Sequence, residues 1–239
     1  MTLHMIGIGL NDEKDVSIKG LDAIKKCSRV YLENYTSVLT VPVSNLEEFY
    51  GKKIILADRD MVEKNPEEIL SGEDTAFLVV GDVFSATTHV DLMLRAKEKN
   101  IEVKVIHGAS VVSAVGVTGL EVYKFGKVTS IPFENENVKT PVEVLQGNQK
   151  IGLHTLFLLD LRPDEGKFLT IKDAAEYLIR NGVKEDIFAV GCAQLGAENP
   201  VIKIGELKEL KKAEFGKAPY CLIVPGKLHF MEEEALKQF

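Results

Sequence analysis

The sequence has few cysteines, no long basic run and no apolar stretch of bilayer length, and each shortage narrows what the chain can be. Its three cysteines, Cys27, Cys192 and Cys221, are odd in number, far apart and set in apolar or amphipathic runs. They read as buried free thiols in a reducing compartment, not as a disulfide framework. Lys and Arg total 29 against 36 Asp and Glu, a formal net charge of -7. A partner gripped through its phosphates is disfavoured, so direct nucleic-acid binding is not expected. The N-terminal "MTLHMIGIGL" lacks the basic flank and cleavage site of a signal peptide, and no run reaches the length of a membrane span. The expectation is a soluble, cytoplasmic protein without membrane contact.

Several catalytic signatures are missing too. The five histidines, His4, His89, His107, His154 and His229, show neither HxH nor HExxH spacing, so no metal site is expected. No GxSxG occurs, which argues against a serine nucleophile on a strained elbow. In "MIGIGLND", Gly7 and Gly9 follow a strand-like run, but the third position of a dinucleotide fingerprint holds Asp12. A pyrophosphate there would meet Asp12, Glu13 and Asp15. The two glycines then either let the strand end turn tightly or admit an uncharged or cationic ligand.

What is present is an alternation of apolar runs and helical patterns. Runs at 3–10, 29–33, 53–57, 75–80 and 102–106 read as strands covered on both faces. Between them, Ile18, Leu21, Ile24 and Cys27 mark one helix face, and Val90, Met93 and Leu94 another, with Ser44 and Glu47 at capping-box spacing. Such alternation implies a mostly parallel sheet. The second half offers strands at 128–133, 153–161, 187–194, 201–205 and 220–224, and helices near 141–149 and 171–181, the latter with Thr170 and Asp173 at capping spacing. The short connector "LGAENP" suits a hairpin, which makes this second sheet mixed. The organisation expected is two α/β domains, 1–119 and 120–239, the first with a mostly parallel sheet and the second with a mixed one.

The stretch "FLVVGDVFSATTHVDL" runs from a buried strand through Gly81 and Asp82 into small and hydroxyl residues that open a helix-like pattern. Asp82 at that strand end either caps the next helix or faces a ligand. Thr87 and Thr88 fit the helix's first turns, where a hydroxyl bonds the backbone or a ligand edge. His107 in "VKVIHGAS" and His229 in "VPGKLHF" flank strand ends, where open α/β sheets hold ligands, and each could equally be a structural histidine. In "HGASVVSAVG", Ser110 and Ser113 lie three apart, on one helical face.

Taken in order, "MIGIGLNDEKDVSIKGLDAI", "VVGDVFSATTH" and "VIHGASVVSAV" resemble the three recurring blocks of the tetrapyrrole methylase superfamily. With "GLHTLFLLDLRP", "VGCAQLG" and "VPGKLHF" added, the chain is similar to the archaeal diphthine synthase family over essentially its whole length. One departure is Val83, where the superfamily usually has proline; the change frees φ and restores an amide donor. The resemblance implies S-adenosyl-L-methionine as cofactor, with S-adenosyl-L-homocysteine as product, bound in a cleft between the two domains. Mapped by motif, the binding positions are Leu10, Asp82, Ser85, Ser110, Val111, Leu161, Gln194 and His229. It further implies a homodimer whose substrate is translation elongation factor 2. There the amino group of a 2-(3-amino-3-carboxypropyl)-histidine would be methylated, to the trimethyl level, giving diphthine. The alternatives are a methyltransferase of this fold acting on a tetrapyrrole or ribosomal RNA, and a nicotinamide-dependent oxidoreductase or nucleotide-binding module.

Overall fold

The computed structural model describes residues 1–239, which divide into two units, Met1–Val111 and Val112–Phe239. The first unit runs β1 (Thr2–Gly7), α1 (Ile18–Lys26), β2 (Arg29–Glu33), α2 (Val43–Tyr50), β3 (Ile55–Ala57), β4 (Thr75–Val79), α3 (Val90–Glu98) and β5 (Glu102–Ile106). Its five strands are all parallel, in the order β3-β2-β4-β1-β5. Alternate residues of each strand feed opposite faces. Ile6, Val30, Leu32, Ala76 and Leu78 pack with Ile24 and Leu46, while Leu3, Met5, Tyr31, Phe77 and Val79 pack with Leu92 and Ala96 on the other side. Both faces of the central strands are covered, which is why β4 reads as an unbroken apolar run, while the edge strands β3 and β5 are partly exposed.

The helix faces match the sequence reading in part: Ile24 and Cys27 of the first are buried and Leu21 packs against them. Ile18 is 82% exposed, and the buried side of α1 is Gly20, Ala23 and Ile24. A Cβ at Gly20 would lie 2.8 Å from Val16 Cγ2 and 3.1 Å from Ile6 Cγ2. The smallest side chain therefore faces the sheet, and Ile18 is left outside. In α3 the inward residues are Leu92 and Ala96, with Met93 packed against them and Val90 and Leu94 about half exposed. That helix starts at Val90, so Thr87 and Thr88 lie in the turn before it; Thr87 donates to the Val83 carbonyl at 2.7 Å and Thr88 to Glu63 at 2.8 Å. Ser44 and Glu47 form no capping box. The N-cap of α2 is Pro42, and Glu47 instead accepts from the Ile54 amide at 3.0 Å and from Lys53 at 3.2 Å.

The short helix α4 (Val111–Ala114) follows. The second unit then runs β6 (Thr129–Ile131), α5 (Thr140–Lys150), β7 (Thr155–Leu159), the small hairpin β8 (Leu161–Arg162) and β9 (Lys167–Phe168), α6 (Ile171–Arg180), β10 (Phe188–Ala193), β11 (Val201–Glu206), α7 (Leu207–Leu210), β12 (Tyr220–Val224) and α8 (Phe230–Leu236). Its main sheet is mixed, in the order β11-β10-β12-β7-β6, with β6 parallel to β7 and the other pairs antiparallel. The expected β10–β11 hairpin is there, and its turn begins at Gln194 in the left-handed region, φ 53°. Thr170 and Asp173 cap α6 reciprocally, the Thr170 hydroxyl accepting from the Asp173 amide at 3.2 Å and the Asp173 carboxylate from the Thr170 amide at 2.8 Å. No helix is long and apolar enough to cross a membrane.

Candidate functional site

In the first unit the strand order reverses beside β1: the chain leaves it toward β2 and β3, returns through β4, then crosses to β5 on the far side. Ligands of open α/β sheets sit outside the carboxyl ends of strands at such a point. Three glycines line it. A Cβ at Gly7 would lie 2.6 Å from both the Gly108 nitrogen and the Gly81 oxygen, and one at Gly108 would lie 2.4 Å from the Gly81 oxygen. The ends of β1, β4 and β5 thus meet backbone against backbone. Gly9 and Gly81 tie the rim with reciprocal amide bonds of 3.3 and 2.6 Å.

The loop after β1 then turns its own carboxylate inward. Asp15 accepts from the amides of Leu10 at 3.1 Å and Asn11 at 2.8 Å, and its Cβ would be 2.3 Å from a Cβ on Gly9. Those amides are the donors a phosphate would need. With Asp15 already on them, and Asp12 and Glu13 beside it in the sequence, the loop repels a pyrophosphate and suits a cation or a neutral group.

Asp82 is the hub of the edge. One carboxylate oxygen accepts from the Phe84 amide at 3.1 Å and the Ser85 hydroxyl at 3.3 Å, closing a turn; the other accepts from His107 Nδ1 at 2.7 Å and the Gly108 amide at 3.3 Å. Burial pushes this carboxyl's pKa up, but the Phe84 amide, His107 and the Gly108 amide outweigh it and hold it below the usual carboxylate range. Val83, in the departing position, is fully buried among the α3-side residues, and its carbonyl receives Thr87 and contacts His89 Nδ1 at 3.3 Å. Ser110 is buried and Val111 half-buried where β5 gives way to α4. The structure therefore gathers Leu10, Asp82, Ser85, Ser110 and Val111 on the carboxyl side of one sheet.

The remaining three positions lie in the second unit. Leu161 opens β8, its amide donating to Asp160 at 2.9 Å, and Gln194 is the left-handed residue of the β10–β11 turn. His229 is the N-cap of α8, its Nδ1 accepting from the Met231 amide at 3.3 Å. Its own amide donates at 2.7 Å to Glu232, which is fully buried. Glu232 also accepts from His154 Nε2 at 2.8 Å, from the Glu121 amide at 2.9 Å and from the Lys124 ammonium. Burial opposes its ionisation, yet these donors, Lys124 foremost, draw its pKa down to about 2. Sequence reasoning missed this centre. The one signal was His229 and Glu232 at capping-box spacing, inside a run of three glutamates of which only the first is buried.

The glycine-walled sheet edge with its Asp82–His107 pair is the candidate site of the first unit. The chain belongs to the tetrapyrrole (corrin/porphyrin) methylase family, whose pattern matches residues 2–211, and is thereby a methyltransferase. It is 45% identical over 252 residues to the diphthine synthase of Methanosarcina mazei, covering 98% of this chain and 94% of that protein. It is 42% identical over 268 residues to a probable diphthine methyl ester synthase of Arabidopsis thaliana, with 98% and 97% covered. A crystal structure of diphthine synthase superposes with a TM-score of 0.94 at 39% identity, covering 100% of this chain and 96% of that one.

Proposed function

We propose that this protein is an S-adenosylmethionine-dependent methyltransferase that acts on translation elongation factor 2, methylating the amino group of a 3-amino-3-carboxypropyl arm on histidine through to trimethylated diphthine. The observation that carries the reading is the β1–β4–β5 edge. Gly7 and Gly108 let the three strand ends close backbone against backbone, and the Asp15 carboxylate stands on the amides a nucleotide phosphate would claim. A ligand that joins a nucleoside to a sulfonium without any phosphate fits such an edge. Leu10, Asp82, Ser85, Ser110 and Val111 are the proposed holding residues of the first unit, and Leu161, Gln194 and His229 those of the second. The bound cofactor supplies an electrophilic methyl group on sulfonium sulfur.

The protein's own residues do the rest. They hold the acceptor amine in line, which alone can supply much of the acceleration. They must also leave that amine uncharged, because an ammonium has no lone pair to offer. Full-length similarity to diphthine synthases supports the acceptor assignment. The protein is further proposed to work as a homodimer. The edge strand β3 supports this by leaving Ile55 40% and Leu56 47% exposed, and sedimentation at micromolar concentration should give twice the mass of one chain.

The test is the intact mass of elongation factor 2 bearing the unmethylated arm, before and after incubation with enzyme and S-adenosylmethionine. A gain of whole methylene units on that histidine is expected. Mild alkali then separates base-stable amine methylation from a labile methyl ester, the product named for the plant relative. No gain alongside tight S-adenosylhomocysteine binding would move the acceptor to a tetrapyrrole or an RNA.

A further inference from the structure

We infer that His107 is the base that takes the proton from the acceptor amine, with Asp82 as the residue that orients it. The inference rests on the amine-methylating function proposed above. His107 follows β5 at the ligand-side edge, one residue before the glycine that touches β1 and β4. Its imidazole is anchored at one nitrogen only: Nδ1 lies 2.7 Å from Asp82, while 71% of the side chain is exposed. An ionised carboxylate only accepts, so Nδ1 carries the hydrogen, and in the neutral imidazole Nε2 carries the lone pair.

A histidine that is buried with both nitrogens bonded has no lone pair to offer a substrate. His154 shows that pattern, with Nε2 on Glu232 and Nδ1 accepting from the Gly226 amide at 2.9 Å. The turn after β4 supplies the Asp82 carboxylate to His107, and in the loop after β1 the Asp15 carboxylate is taken up by that loop's own amides. Asp82 in turn is held from four sides, by His107, Ser85 and the amides of Phe84 and Gly108. It acts through His107 as an orienting partner, and the resulting imidazolium sits against its negative charge.

The proton step balances without another reagent. An N–H bond of the substrate ammonium breaks, its electron pair stays on the amine nitrogen, and an N–H bond forms at Nε2. Water then takes the proton from the imidazolium. The step recurs before each amine methylation, since each transfer to an amine that still carries hydrogen leaves an ammonium. A carboxylate oxygen already holds its lone pair, so ester formation does not call on His107.

His107→Asn keeps a donor toward Asp82 and removes the base. The expected result is S-adenosylhomocysteine affinity, by calorimetry, within about twofold of wild type, with kcat at pH 7 lowered roughly 100-fold, the low end of general-base effects. The deficit should shrink as pH climbs past the amine's own pKa, about 8 for an ordinary α-amino group. A deficit equal at every pH, an affinity loss that tracks the rate, or unchanged kcat would each overturn the assignment. If His107→Asn misfolds by circular dichroism, His107→Gln is read by the same criteria. A wild-type enzyme that binds S-adenosylhomocysteine but methylates no amine refutes the proposed function, and the base assignment falls with it.

Discussion

Gly108→Ala should separate the ends of β1, β4 and β5, with loss of both stability and cofactor binding. The new Cβ would stand 2.4 Å from the Gly81 oxygen and 2.7 Å from the Gly7 carbonyl carbon. Both are backbone atoms of hydrogen-bonded strands, so no side chain can swing away. Overpacking a well-filled interior costs up to about 3 kcal/mol in the usual range, and this site belongs at its top. A fall in melting temperature on the order of 10 °C follows for a chain of this size. Affinity for S-adenosylhomocysteine should fall about tenfold or more, since some 1.4 kcal/mol of lost contact already gives that factor. Gly147→Ala is the control. Gly147 lies within α5, where an added Cβ would meet nothing within 4 Å, so the same substitution should stabilise by about 0.4 to 1 kcal/mol. Calorimetric melting of the two variants, side by side, checks both signs.

Glu232→Leu should be the most damaging single change in the second unit. It strands the buried His154 Nε2 hydrogen and takes the carboxylate from Lys124 and from the amides of Glu121 and His229. Breaking a buried ion pair from one side costs about 3 to 5 kcal/mol. The pH dependence has a definite sign. The Glu232 carboxyl titrates near 4.5 in an open chain and at about 2 in the fold, so its contribution is complete above pH 4.5 and is lost as pH falls toward 2. That shift corresponds to roughly 3 kcal/mol. His154 acts in the same direction: burial lowers its pKa against the pull of Glu232, so acid favours the chain in which it is free to protonate. Denaturant midpoints measured from pH 7 down to pH 3 should fall steeply for wild type and less steeply for the variant. Parallel curves would remove Glu232 from the account.

Strand positions were most legible at the centre of the first sheet, where β4 is buried along its whole length and an unbroken run such as "AFLVV" has few other readings. Helix faces were legible only in part. Periodicity in "IKGLDAIKK" put Ile24 and Cys27 inward with Leu21 against them, but it missed that the first turn presents Gly20, close to Ile6 and Val16, and leaves Ile18 outside. The site showed the same divide. Gly81, Asp82 and the "HGAS" turn could be seen as strand ends, but the 2.7 Å bond between Asp82 and His107 depends on how β4 and β5 register against β1, a property of pairing and not of spacing. Glu232 and Glu233 are alike as letters; only the fold gives one of them four donors.

The place of β1 inside its sheet, between β4 and β5, also sets a timetable for synthesis. Leu3 pairs with Thr75 on one side and with Val103 on the other, so the strand made first is completed last. At a translation rate of about 5 to 20 residues per second, it waits on the order of 5 to 20 s for its second partner. During that interval Leu3, Met5 and Ile6, all wholly covered in the finished fold, form an apolar segment with two open edges. The nascent chain is then most exposed to misassociation at the very segment on which its ligand edge is later built.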